Sequence, residues 1–380
     1  MRLRSLAGLL PFFIALTSVA CGDPDRVAVD ANPSPNGPET EKSSGGSSSG
    51  GTKMVGSSSS GFVGGGLPGE KHAEVPENDF ILTSQEPTST FGVDVDTASY
   101  SVMRRDLGAG RLPASAGVRP EEYVNYFHYT YPQPTDGRPF SVNIDAAPSR
   151  FGDGLHLVRV GLQGKIIDAA NRKPVNLVFL VDTSGSMNDP MKMPLVQYSL
   201  KRLTEQLRPT DTLAIVTYAG SAQTLLEPTP VTDKQKILDV VGALYGKGGT
   251  NGEGGIKRAY ELAEKAKSQY SESRVVLCTD GDFNVGVTGA SLVKLVADER
   301  SKGVTLTTLG FGSDNYNDAD MEALADRGNG NYAYIDSTRE ADRVLVTKLT
   351  STIQMIAKDV KVQLTLSPSF VSRYRLIGYE

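Results

Sequence analysis

The chain has 380 residues, with 39 Lys and Arg against 44 Asp and Glu, a formal charge of −5. No basic excess is present to neutralise phosphates, which argues against a nucleic-acid binder. Two cysteines exclude a disulfide-stapled scaffold and a cysteine-rich zinc module, and His72, His128 and His156 form no HExxH motif.

The N-terminus reads as an export signal. Arg2 and Arg4 precede the apolar stretch Leu6 to Leu16, and Ser18-Val19-Ala20-Cys21 follows, with small residues ahead of a cysteine. This pattern makes residues 1–20 a lipoprotein signal peptide and Cys21 the lipidation site. Two plainer readings stay open: an ordinary cleaved signal that leaves Cys21 as a free thiol, and a short membrane anchor interrupted by Pro11. Loss of residues 1–20, with their two arginines, would take the charge from −5 to −7. Residues 21–75 read as a disordered tether, since 18 of the 24 residues from Ser43 to Gly66 are Gly or Ser. Such a tether spans roughly 40 Å on average.

Residues 76–173 read as an N-terminal flanking region of helices and strands. Short helical patterns occur around Ala98–Met103 and over Arg119–Tyr129, the second rich in aromatics. Alternation in Phe140, Val142 and Ile144, and again from Leu155 to Leu162, predicts strands with one buried face. From Asn176 the pattern changes to continuous apolar runs, Leu177–Val181, Leu213–Val216, Val275–Cys278 and Val304–Leu309, as for strands buried on both faces. Helical patterns intervene at 195–207, 234–244, 255–267, 291–300 and 318–326. A short strand at Tyr332–Ile335 and a long helix over 339–356 complete the series. Strands alternating with helices predict an α/β fold, a doubly wound and mostly parallel sheet over 174–350. Residues 351–380 alternate again (Val360, Val362, Leu364, Leu366) and are expected to pair with the strands around 140–162. They read as the start of a C-terminal flanking β region, continuing past Glu380 in the natural module. Cys278 reads as a small core residue.

Open parallel sheets bind ligands beyond the carboxyl ends of their strands. Three loops could meet there: Asp182-Thr183-Ser184-Gly185-Ser186, Gly248-Gly249-Thr250-Asn251-Gly252, and Thr279-Asp280-Gly281. Two carboxylates and three hydroxyls select a hard cation, Mg²⁺ first, with Mn²⁺ or Ca²⁺ as alternatives. Taken singly, Asp182 and Ser184 could cap a helix, Asp280 could start a turn and Thr250 could pack. Together, Asp182-x-Ser184-x-Ser186, Thr250 and Asp280 resemble the metal-ion-dependent adhesion site of von Willebrand factor A domains. The segments Thr90–Tyr100, Glu121–Phe127, Asp280–Gly286 and Gly328–Tyr334 resemble a bacterial family of A-domain lipoproteins. The resemblance implies that Ser184, Ser186 and Thr250 touch the metal, with Asp182 and Asp280 acting partly through water. It also implies a protein partner that supplies an Asp or Glu carboxylate, and no catalysis.

Two other function classes are kept: a metal-assisted hydrolase using the same carboxylates, and a scaffold with a stabilising metal. Weaker motifs fail on context. Asp94-Val95-Asp96 lacks the buried strand a phosphatase nucleophile needs, and Gly246-Lys247-Gly248 lacks both the leading glycine and the hydroxyl of a P-loop. Asp280-x-Asp282-x-Asn284 lacks the glycine and glutamate of a calcium loop. Asp314, Asp318 and Asp320 are expected to cap a helix and face solvent, with a second cation site as the alternative.

Overall fold

The computed structural model describes residue 72 and residues 77–93, 95–168, 170–249, 252–281, 290–312, 317–348, 353–357 and 360–379. Residues 1–20, Cys21 and the expected tether other than His72 lie outside the described residues, as do Asp94, Thr250, Asp282, Asn284 and Asp314; His72, assigned to the tether, is instead packed 3.1 Å from Asp318.

In chain order, two short strands, β1 (Ile81–Leu82) and β2 (Thr88–Gly92), precede helices α1 (Ala98–Gly108) and α2 (Pro120–Tyr126). Pro120 at the first turn of α2 leaves no amide donor unsatisfied there. Strands β3 (Phe140–Pro148) and β4 (His156–Gly164) form an antiparallel ribbon. The central part follows: β5 (Val175–Asp182), α3 (Met193–Gln206), β6 (Thr212–Tyr218), β7 (Ala222–Pro230), α4 (Lys234–Gly242), α5 (Gly252–Ala266), β8 (Glu272–Thr279), α6 (Ala290–Ser301), β9 (Val304–Phe311), α7 (Asp318–Arg327), β10 (Tyr332–Ile335) and α8 (Thr338–Ala341). Strands β11 (Lys361–Thr365) and β12 (Arg373–Tyr374) come last. Among the described residues no helix is long and apolar enough to cross a membrane.

The main sheet has six strands in the order β10-β9-β8-β5-β6-β7, parallel except for β7. β5 and β8 lie side by side at its centre. Every residue of β5 is buried, and its side chains alternate between two apolar layers. Val175, Leu177, Phe179 and Val181 meet α3, α4 and α8 through Val196, Leu200, Ile237 and Ala341. Val178 and Leu180 join the opposite layer with Ile256 and Ala259 of α5, Val296 of α6 and Leu324 of α7. Burial on both faces is why these strands read as unbroken apolar runs. Ala98 and Val102 of α1 belong to that second layer too, so the N-terminal flank contributes a helix to the core.

Two expectations about elements are corrected. β11 pairs with β2, not with the strands around 140–162; Val362 faces Phe91 and Leu364 faces Ser89. The hydroxyl-rich Thr88-Ser89-Thr90 hides a strand whose cross-strand bond is Thr88 to Thr365. The long helix over 339–356 is instead the short α8, continued by a π-helical segment to Lys348, and residues 353–357 are not helical. The β-branched run Val344, Val346, Thr347, Thr350, Thr352 and Ile353 lowers helix propensity there. β7 falls in a stretch that the sequence reading left unassigned; as an edge strand it tolerates Pro228 and Pro230.

A third correction concerns a side chain: Asp318, expected to face solvent, is 1% exposed. Its carboxylate accepts from Arg119 Nη2 (3.1 Å) and Tyr332 Oη (2.7 Å), and lies 3.1 Å from His72 Nδ1. Arg119 also pairs with Glu122 and with Glu322 (3.1 Å). Burial alone would raise Asp318, but the His72 hydrogen bond and the Arg119 charge overcome it and hold the carboxyl below its usual range. Burial pushes Glu122 up to about 7 and Glu322 up to about 8, since one guanidinium faces three carboxyls. A second contact ties α1 to the far edge of the sheet. Arg104 donates to Asp336 (2.6 and 2.9 Å) and Glu340 (3.1 Å), and Tyr332 N donates to Asp96 (2.8 Å).

Candidate metal centre

Asp182 is the last residue of β5 and is fully buried. Its Oδ1 accepts from Ser184 N (2.8 Å), which bends the chain into the following loop. Its Oδ2 accepts from Tyr218 Oη (3.1 Å) and Thr279 Oγ1 (3.0 Å), the terminal residues of the two neighbouring strands. Ser184 and Ser186 hydroxyls lie 3.0 Å apart. The parallel register sets Val181 beside Cys278, so Asp280, one step past β8, reaches the same sheet edge. Asp280 is 1% exposed and accepts from Lys192 Nζ at 2.9 Å.

The loop leading to residue 250 is stitched onto the motif loop. Lys247 N donates to Thr183 O (2.6 Å), Gly185 N to Gly248 O (3.1 Å), and Asn188 Nδ2 to Gly246 O (2.7 Å). Two glycines permit this approach. A Cβ on Gly246 would stand 2.6 Å from Ser184 O, and Gly248 has φ +93°, where side chains are strained. Asp182, Ser184, Ser186 and Asp280 are thus brought to one edge; Thr250 falls outside the described residues.

Burial raises Asp182 to about 6, with the Asp280 charge adding to it and the bonds from Ser184 and Thr279 opposing it. Lys192 supplies one positive charge to these two buried carboxyls, which leaves one negative charge for a further cation to meet. The nearby donors are oxygens, which fit a hard divalent ion. Among the described residues no three His, Cys, Asp or Glu side chains gather as a metal cage, so a site here would lean on hydroxyls and on groups from outside. Tyr218, Thr279 and Lys192 were missed in the sequence. Tyr218 and Thr279 look like ordinary strand ends. Lys192, set in Met191-Lys192-Met193 at the start of a buried helix face, is the one visible signal.

This fold and edge geometry define a von Willebrand factor type A domain. Residues 176–349 match the model of that domain, described as "von Willebrand factor type A domain". Residues 67–159 match "von Willebrand factor", and residues 351–380 match "Uncharacterized protein YfbK, C-terminal". The chain carries a von Willebrand A domain together with the flanking segments found in a bacterial relative. It is 40% identical over 322 residues to the Uncharacterized protein YfbK of Escherichia coli (strain K12), covering 82% of this chain and 55% of that protein. The chain therefore spans about half the length of this relative. It is 31% identical over 175 residues to the inter-alpha-trypsin inhibitor heavy chain H3 of Homo sapiens, covering 43% of this chain and 19% of that protein. Among solved structures, the von Willebrand factor type A protein from Catenulispora acidiphila is similar at 19% identity and a TM-score of 0.44, covering 57% of this chain and 50% of that one. Domains of this family typically mediate protein–protein interaction and adhesion, and they commonly bind a divalent cation.

Proposed function

We propose that the chain is a cell-envelope protein-binding module, anchored to a bacterial membrane through lipid on Cys21. It holds a divalent cation, Mg²⁺ before Mn²⁺ or Ca²⁺, with Asp182, Ser184, Ser186, Thr250 and Asp280. A protein partner presents an Asp or Glu to the cation. Bound there, the cation supplies an electrophilic site for a carboxylate. The chain's own residues do the rest. Asp182 and Asp280 compensate its charge, the serine hydroxyls donate lone pairs, and the loops at 183–188 and 245–249 form a rigid rim.

The observation that carries this reading is the convergence of Asp182, Ser184, Ser186 and Asp280 on one edge. A protein-binding role is favoured over hydrolysis because the carboxylates are already engaged. Both oxygens of Asp182 accept hydrogen bonds, and Asp280 accepts from Lys192. Neither is set up as a general base toward an attacking water.

The test is capture of envelope proteins by the immobilised chain in millimolar Mg²⁺, with chelator and with Asp182→Ala. Capture that is lost in both, while the protein stays folded, supports the module. Unfolding under chelator points to a scaffold metal, and turnover of a phosphate or ester probe points to a hydrolase.

A further inference from the structure

We propose that Lys192 is a built-in counter-cation of this site: its ammonium neutralises Asp280 while the divalent ion is absent, and must yield that oxygen when the ion binds. The inference rests on reading Asp182, Ser184 and Asp280 as the metal-binding group.

A lysine is almost never buried unless paired. Here the Lys192 side chain is 7% exposed and Asp280 is 1% exposed, with Nζ to Oδ2 at 2.9 Å. The arm has a fixed path. It starts at the residue before α3 and crosses Gly312, just past β9, so closely that a Cβ there would fall 2.4 Å from Lys192 Cε and 2.8 Å from Cγ. Gly312 has φ +94°, a conformation that favours glycine, and its carbonyl accepts from Tyr334 Oη. The groove that seats the lysine stem therefore depends on a residue without a side chain.

Charge counting gives the consequence. Asp182 and Asp280, both ionised, carry two negative charges and Lys192 returns one, so the metal-free edge keeps one net negative charge instead of two. A divalent ion beside all three leaves one unit of positive charge, which an incoming carboxylate would neutralise. Lys192 thus lowers the affinity for the cation and favours an anionic partner once the cation is bound.

The experiment is calorimetric titration of Mn²⁺ into the full chain at fixed ionic strength, comparing wild type with Lys192→Met and Lys192→Gln. Methionine keeps the stem over Gly312 without the charge; glutamine keeps a donor for Asp280. Both variants should bind Mn²⁺ about tenfold tighter or more, the size of effect a nearby unit charge exerts at a partly buried site. In chelator both should melt lower than wild type, and saturating Mn²⁺ should close that gap. A purely structural lysine would leave the gap open at all Mn²⁺ concentrations. Mn²⁺ binding to the variants within twofold of wild type, or weaker, overturns the role of Lys192 and leaves the site standing. Failure of wild type and variants alike to bind Mn²⁺ overturns both.

Discussion

Replacing Arg119 with methionine removes the guanidinium that joins the N-terminal flank to α7. Arg119 is 3% exposed and faces Glu122, Asp318 and Glu322. Breaking a buried ion pair by removing one partner costs about 3–5 kcal/mol, because the remaining charge is left uncompensated. In a chain of this size that is a fall of roughly 10 °C in the midpoint. The loss depends on pH. Glu122 at about 7 and Glu322 at about 8 stand above their unfolded value of 4.5 even with the arginine present. Without it they rise further and become neutral more readily, so acid relieves the repulsion. The variant should lose more at pH 8 than at pH 5.5. Urea and thermal unfolding at both pH values measure the loss, and hydrogen exchange in α1 and α2 reports whether the flank has loosened. A loss under about 1 kcal/mol, an equal loss at both pH values, or unchanged exchange would refute the reasoning.

Three further outcomes are expected. Carboxyls with raised folded values take up protons on folding, so their contribution is full below about pH 4.5 and is lost as pH rises through 7 to 8. Wild type should therefore be more stable at pH 5.5 than at pH 8, and Glu322→Gln should flatten that slope in paired urea titrations; an unaltered slope removes Glu322 from the account. Gly330→Ala should cost more than about 2 kcal/mol in the same assay, because a Cβ there would lie 1.8 Å from the Leu306 carbonyl oxygen and backbone would have to move. A neutral Gly330→Ala would show that the approach of the α7–β10 turn to β9 is looser than drawn.

Much of the central domain was legible because burial on both sides of a parallel sheet leaves an unbroken apolar run. β5, β6, β8 and β9 each show one, and the Asp182 motif follows directly on the first. What was not legible lies where that signal fails. β7 is an edge strand carrying two prolines, and β2 is written in Thr and Ser, which pair across strands without an apolar stripe. β11 was recognised as a strand, but its partner lies 270 residues or so away in sequence, and alternation says nothing about partners. Asp318 looked like a solvated first-turn acid. Its burial follows from Arg119 arriving from the flank, a contact spanning 199 positions that no local pattern encodes. Lys192 is the same kind of case: its charge is visible in the sequence, but its salt bridge requires α3, β8 and the Gly312 turn to be assembled first.

The claim on which the functional account turns is that Asp182 and its neighbours bind a divalent cation. The direct measurement is a thermal melt of the chain in chelator and then in millimolar Mg²⁺, with Asp182→Ala alongside. A ligand at about 100 times its dissociation constant adds roughly 2.7 kcal/mol to the folded state, which is several degrees for a domain of this size. The account predicts that rise in wild type and its absence in Asp182→Ala. Equal midpoints with and without Mg²⁺ in wild type, or an equal rise in both proteins, would contradict it.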